Sequence, residues 1–462
     1  MSDRAIVIGA GVDALVAAHL LKRAGRDVIF IEEKNTEDDG GWVPPQIARE
    51  LGLELHIKTH DPWAVVPLPQ GGTLELWHDM GRTVEALRRL SPRDAASWPQ
   101  FCARTAAIAR LFEQLYGAAP VNPLNVQLAF RVRRLGRQAM EDLMRLLPMS
   151  VAELLDDWFE CDALKGALAA MGIVHLQQGP RSAGTAFRLL HHHVGSPQGV
   201  FRPARSNLGA ALRARPGIDI RAGAARRIVV RDGRVSGVAL ASGEELAAPL
   251  VVSGTDPRRT LLELVEPGWL EPEFARALGH VRRRGVVARV SFKVAPCARV
   301  VIAPSLDYLE RAYDASKYGR VSVEPYIEVI SRENAVEAHF QYAPYRRADG
   351  AWDSDRRSEL GELTRRLLSP HVGGIADARV DVQTPPDLEL AAGWPEGQAY
   401  HAELALDQAL WMRPLPELAS YRTPIEGLWL CGPGTHPGGG VAGASGRNCA
   451  REILRSPARR AG

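Results

Sequence analysis

Apolar residues near the start of the chain fall in two short unbroken runs, residues 5–8 and 28–31, separated by a segment of helical length. Such runs, bounded by turn residues, read as buried parallel strands. Between them Leu15 to Arg23 reads as a helix with Ala18 and Leu21 facing the sheet, and Gly25 ends it. A third run, residues 428–431, stands near the other end and leads through a glycine cluster into a helix from residue 442 onward.

Between the ends the period changes twice. Over residues 83–190 it is mainly helical: Trp98, Phe101, Thr105, Ile108 and Phe112 recur at helical spacing and read as core, while Ser91/Asp94 and Ser150/Glu153 have capping-box spacing. Residues 201–257 read as a helix and short strands with a hairpin turn at Asp232-Gly233. From 286 to 345 strands alternate, with Val287, Arg289, Ser291 and Lys293 on a polar face and Ala288, Val290, Phe292 and Val294 on an apolar one.

This order predicts an α/β chain in which a discontinuous Rossmann-type nucleotide domain is interleaved with an α+β substrate domain. The nucleotide domain takes residues 1–80, 201–262 and 401–455. The substrate domain takes a mainly helical cap, 81–200, and a sheet with helices, 263–400; residues 456–462 form a disordered tail.

Composition changes the picture little. A chain of 462 residues with 46% hydrophobic and 24% charged residues and a formal charge of +3 is an ordinary globular chain of two or more domains. The basic runs 131–137 and 282–284 read as solvated faces, and no nucleic-acid partner is expected. Cys102, Cys161, Cys297, Cys431 and Cys449 are odd in number and lack CxxC spacing, which fits a reducing compartment. No apolar run approaches the roughly 18–20 residues needed to span a bilayer, so the expected location is cytoplasmic, with peripheral membrane contact as the alternative.

The strongest chemical signal is "GAGVDALVAAHLLKRAGRDVIFIEE". Gly9 and Gly11 permit a tight turn and close approach of a pyrophosphate, and Ala14 takes the helix-packing position. The helix aims its positive end at the pyrophosphate. Glu32, with Glu33 beside it, stands at the tip of the second strand to accept ribose hydroxyls. That favours FAD or NAD over NADP. His191-His192-His193 gives no metal site, because consecutive residues cannot all face one ion in ordinary backbone geometry.

With "GPRSAGTAF" (179–187), "VVSGTDPRRTL" (251–261), "HAELALDQALWMRPLP" (401–416) and "LWLCGPGTHPGGGVAGASGRN" (428–448), the chain resembles the phytoene desaturase-related FAD-dependent oxidoreductases, and most of all their pyridine nucleotide-disulfide oxidoreductase domain-containing protein 2 branch. The resemblance implies a glutathione-reductase/amine-oxidase-like fold with FAD. It places Gly40, Gly41, Ala225, Gly432, Gly439 and Gly440 around the cofactor, and the amides of Val441 and Ala442 at the flavin pyrimidine. Tyr400 and Trp411 fall on the substrate side, with His401, Arg413 and His436 as catalytic candidates.

The implied reaction moves a hydride from a C–C or C–N bond of a small or lipid-like substrate to flavin N5, with oxygen or quinone as acceptor. Two alternatives stand beside it: flavin amine oxidation, for which Lys293 is the strand lysine, and a catalytically degenerate member that serves as a binding or scaffold protein. The last arises because Gly40-Gly41 leads through Trp42-Val43-Pro44-Pro45 almost directly to Arg49-Glu50-Leu51, so that part of the flavin cradle is absent. "ARSNL" at 204–208 likewise replaces a "GGMG" turn, and the chain is trimmed near 330–338. The sequence carries no signal of oligomeric state.

Overall fold

The computed structural model describes residues 3–33, 41–120 and 137–456. Gly40, most of the basic run 131–137 and the tail beyond Ser456 lie outside them.

The apolar runs form one parallel sheet. Its strand order is Leu428–Leu430, Leu250–Ser253, Arg4–Ile8, Asp27–Glu32, Asp219–Ala222, so a strand from the middle of the chain lies between the first and the last. The central strand is apolar on both faces because both are covered. On one face lie the fingerprint helix Val12–Arg23 and the closing helix Ala444–Arg455, which share a core with Val7, Phe30 and Val252. On the other, Ile6 and Ile8 pack against Ile228 and Val238 of a three-stranded antiparallel sheet. Its first two strands, Ala225–Arg231 and Arg234–Leu240, turn at Asp232 and Gly233 with φ of 50° and 72°. Two positive φ values in succession make the turn that asparagine or aspartate followed by glycine favours.

A second, antiparallel sheet has the order Val301–Ile302, Ile327–Ser331, Val336–Gln341, Val287–Phe292, Val380–Gln383. The run of strands expected from 286 to 345 is interrupted by a helix, Leu306–Lys317. Ser305 caps it by accepting from Tyr308 N, and Leu306, Leu309 and Ala312 bury one face at helical spacing. Val287, expected on a polar face, is buried, and the strand ends at Phe292, leaving Lys293 exposed beyond it.

The helical region centres on Pro92–Tyr116, whose Trp98, Phe101, Thr105, Ile108 and Phe112 are all buried. Ser150 and Glu153 complete a reciprocal capping box. At Ser91 only half of one forms: Ser91 accepts from Asp94 N, while the Asp94 carboxylate accepts from Glu160 N and Cys161 N. The basic run Arg282-Arg283-Arg284 is only in part a solvated face. Arg282 pairs with the exposed Asp407 and Arg284 is itself exposed, whereas Arg283 pairs with buried Asp256 at 2.5 Å and Arg284 reaches buried Glu403.

Candidate cofactor and substrate site

A cleft of about 370 Å³ runs over the carboxyl ends of the parallel strands from the fingerprint to the glycine cluster, with Gly11 and Glu33 at one end and Tyr400, His401, Gly439 and Gly440 at the other. Gly11 is the N-cap of the fingerprint helix and has no side chain to cap it. A Cβ built there meets nothing within 4 Å among the described residues, so the position opens onto the cleft. The first-turn amides are therefore free to meet an anion. Gly9, at φ +142°, lies against the Gly254 backbone, and Ala14 packs between the two glycines. Gly432, at φ +106°, lets the last strand come within 2.6 Å of Gly254 O at the position of a Cβ. These residues fit a dinucleotide pyrophosphate.

The two acidic residues divide their roles differently from the sequence expectation. Alternation at the strand tip turns Glu32 away from the cleft wall, where Arg213 Nε meets it at 2.9 Å while Arg213 Nη2 donates to Ala10 O at 2.7 Å. Glu33 lines the cleft, accepts from Ala225 N at 2.9 Å and takes a two-pronged ion pair from Arg259. The Ala225 amide is thus already engaged.

At the opposite end Gly440 and Val441 pair in parallel with Gly41 and Trp42. Gly41 has φ +146°, and a Cβ there would lie 2.7 Å from Gly440 C and O. This pairing corrects the role expected for Ala442: its N–H donates to Trp42 O at 2.8 Å. Nor are the amides at the start of the closing helix open, because the Asp13 carboxylate accepts from Gly446 N and is also met by the amides of Gly443 and Ser445. Asp13 carries this role from the fingerprint helix. Burial pushes its carboxyl up to about 7, against the pull of those amides.

Of the residues expected to do chemistry, Tyr400 and His401 line the cleft. His401 has φ +58° and an Nδ1 without a hydrogen-bond partner among the described residues. Desolvation, reinforced by Arg413, Arg259 and Arg283, pushes its pKa down to about 3. It is a neutral hydrogen-bonding group at neutral pH.

Arg413 does not reach the cleft. It is fully buried and donates to the carbonyls of Tyr400, Ala402, Glu403, Gln408 and Pro433, clamping the cleft wall from behind. Burial without a carboxylate pulls it down to about 9. His436 is also a core residue: burial lowers it to about 4, and its Nε2 lies 3.3 Å from Leu115 O. Trp411 packs against the helical core.

The sequence reading missed what the histidine triplet does. His191, on the helix Thr185–His193, donates from Nε2 to Gly439 O at 2.8 Å, so its Nδ1 accepts from the Tyr116 hydroxyl at 2.8 Å. His192 stands 3.3 Å from the Tyr400 hydroxyl, and the fully buried Arg188 lies 5.3 Å from the Tyr400 ring centroid. The signal was present: Arg188 and His191 are three apart on one helix and both lie in an apolar stretch. Among the described residues no group of three or more His, Cys, Asp or Glu could hold a metal ion.

The model of "Flavin containing amine oxidoreductase" matches residues 41–454. The chain belongs to that family. FAD is its cofactor, and the chain is an FAD-dependent oxidoreductase. It is 28% identical to pyridine nucleotide-disulfide oxidoreductase domain-containing protein 2 of Rattus norvegicus, covering 98% of this chain and 93% of that protein. It is 26% identical to hydroxyneurosporene desaturase of Rubrivivax gelatinosus, covering 98% and 93%. The first alignment runs over 542 positions against a chain of 462, so the rat protein carries segments that this chain lacks. A putrescine oxidase structure with bound putrescine shares the fold at 16% identity and a TM-score of 0.57, covering 99% of this chain and all of that one. The strand lysine considered for amine oxidation, Lys293, is not among the residues lining the cleft.

Glu32→Arg is expected to abolish flavin retention, because a cation would replace the acceptor beside Arg213 and open the fingerprint loop that Arg213 ties down. The absorbance ratio of purified, cooperatively melting protein measures it; flavin content equal to the parent's would show that the Glu32–Arg213 pair does not hold the fingerprint loop.

Proposed function

We propose that this FAD-dependent oxidoreductase acts as a dehydrogenase, desaturase or oxidase on a C–C or C–N bond of a small or lipid-like molecule, with oxygen or quinone taking the electrons. The observation that carries this reading is the uncapped fingerprint helix, with Gly11 opening onto a cleft that continues to Gly439 and Gly440. FAD, when bound, supplies the hydride acceptor. The chain's own part is to position it. Tyr400 and His401 form the wall at the reacting end, Arg413 fixes the backbone that presents them, and neutral His401 offers a hydrogen bond without charge.

The visible spectrum of the purified protein tests this. Oxidised flavin bleached by a substrate supports the enzyme, and a colourless chain overturns it. One observation favours a scaffold as the second reading: Trp42 O takes the Ala442 amide expected to face the flavin. Fewer donors then hold the cofactor. Partial loss of yellow colour is accordingly expected on gel filtration at low micromolar concentration, reversed by added FAD; full retention on dilution would count against a reduced cradle.

We place the protein in the cytoplasm, with peripheral membrane contact as the alternative. Its five cysteines are all free, and among the described residues no helix is long and apolar enough to cross a membrane.

A further inference from the structure

Beyond the Gly41–Gly440 pairing lies a second cavity of about 100 Å³, which shares Tyr400 and Gly440 with the cofactor cleft. Its wall is unusual in charge. Arg202, Arg205, Arg289, Arg299 and Arg332 line it, and Glu328 is the only carboxylate among the described residues that do so.

Leaving Arg205 aside, four guanidiniums share two carboxylates. Glu328 meets Arg202 at 3.1 Å and Arg299 at 3.4 Å, and Glu337 meets Arg332 at 3.1 Å and Arg289 at 4.0 Å. Both acids stay ionised. Burial works to raise Glu328, but Arg202, Arg299 and the Tyr326 hydroxyl hold it down to about 2. Burial likewise opposes the ionised form of Glu337, and His339, Arg289 and Arg332 overcome it.

The excess positive charge is therefore fixed and partly desolvated. Arg299 is the sharpest case: it is 7% exposed, and its Nε makes no hydrogen bond among the described residues although Glu328 lies nearby. A buried guanidinium with an incomplete share of a carboxylate favours a further oxyanion, whose geometry matches the planar donor fork. An ammonium would add to the excess, and a hydrocarbon would strip water from the guanidiniums without replacing its hydrogen bonds.

We propose that this cavity is the oxyanion-binding end of the substrate site, holding a carboxylate or phosphate while the rest of the molecule extends past Tyr400 and Gly440 toward the cofactor cleft. The assignment deepens the oxidoreductase reading and rests on it for the word substrate. It selects anionic small molecules over amines and hydrocarbons within the broad class proposed above.

The test uses the FAD-loaded protein at constant ionic strength, titrated separately with sodium succinate, inorganic phosphate and putrescine, and read by calorimetry and by the flavin difference spectrum. Saturable binding of succinate or phosphate is expected, with the stronger of the two telling carboxylate from phosphate, and no binding of putrescine. Arg289→Gln and Arg332→Gln should each weaken anion binding at least tenfold and leave FAD per chain unchanged. Arg332, whose side chain is 33% exposed, carries the test alone if the other variant does not fold.

Failure of both anions to bind, equal binding by parent and variants, or putrescine binding as tightly as the anions overturns the proposal. A yellow protein that binds neither anion removes the oxyanion site and keeps the redox reading. A colourless chain that binds the anion by calorimetry keeps the site's chemistry and removes the redox reading.

Discussion

Gly446→Ala is expected to destabilise the protein by about 3 kcal/mol, at the upper end of the range for overpacking, and to release the flavin. A Cβ on Gly446 would stand 1.8 Å from Asp13 O and 2.6 Å from Asp13 C. The clash is with backbone, so no rotamer change relieves it. The closing helix must move off the fingerprint helix, and both helix starts leave the cleft together. Gly11→Ala is the informative contrast: its Cβ enters open space and its φ of −78° suits alanine, so stability should change by less than about 1 kcal/mol while flavin content falls. Urea melts and flavin-to-protein ratios read both. Parental stability in Gly446→Ala would show that the helices are not locked at that crossing.

Asp13→Asn is expected to raise stability above neutral pH and to flatten its pH dependence. The Asp13 carboxyl is raised from 3.8 to about 7 in the folded chain, chiefly by burial. Between those values the folded state holds a proton that the unfolded state has lost, so stability falls as pH rises through that window and is lowest above it. At 1.36 kcal/mol per pKa unit, the full effect is about 4 kcal/mol. Asparagine keeps an acceptor for the closing-helix amides without the buried charge. Thermal melts from pH 5 to 8.5 should show the variant ahead only at the alkaline end; parallel profiles for both proteins would mean that Asp13 is not buried as an acid.

The nucleotide end of the site was legible because its information is local. Strand, turn and helix lie within one stretch of about thirty residues, and the spacing of Gly9, Gly11 and Ala14 states the geometry directly; which of Glu32 and Glu33 faces the cleft was not legible, because Arg213 and Arg259 hold them from far along the chain. The catalytic candidates were not, because their roles depend on partners remote in sequence. Arg413 reads as a charged residue available for chemistry, yet its partners are backbone carbonyls, which leave no mark in a sequence. His401 owes its low pKa to burial and to arginines from three other segments. Asp13 caps a helix that begins more than 400 residues later. The helix Leu306–Lys317 could have been read from its Ser305 cap and its i, i+3 burial, but alternation on either side masked it.

The order of the parallel sheet has a consequence for synthesis. Arg4–Ile8 leaves the ribosome about 420 residues ahead of the edge strand Leu428–Leu430, and further still ahead of the closing helix. At roughly 5–20 residues per second, the interval between them is on the order of 20–80 s. Through that time the apolar face of the fingerprint helix has no closing helix to cover it, so the nascent chain offers a chaperone a long-lived binding surface, and any premature stop before residue 428 leaves a product that cannot complete its nucleotide domain.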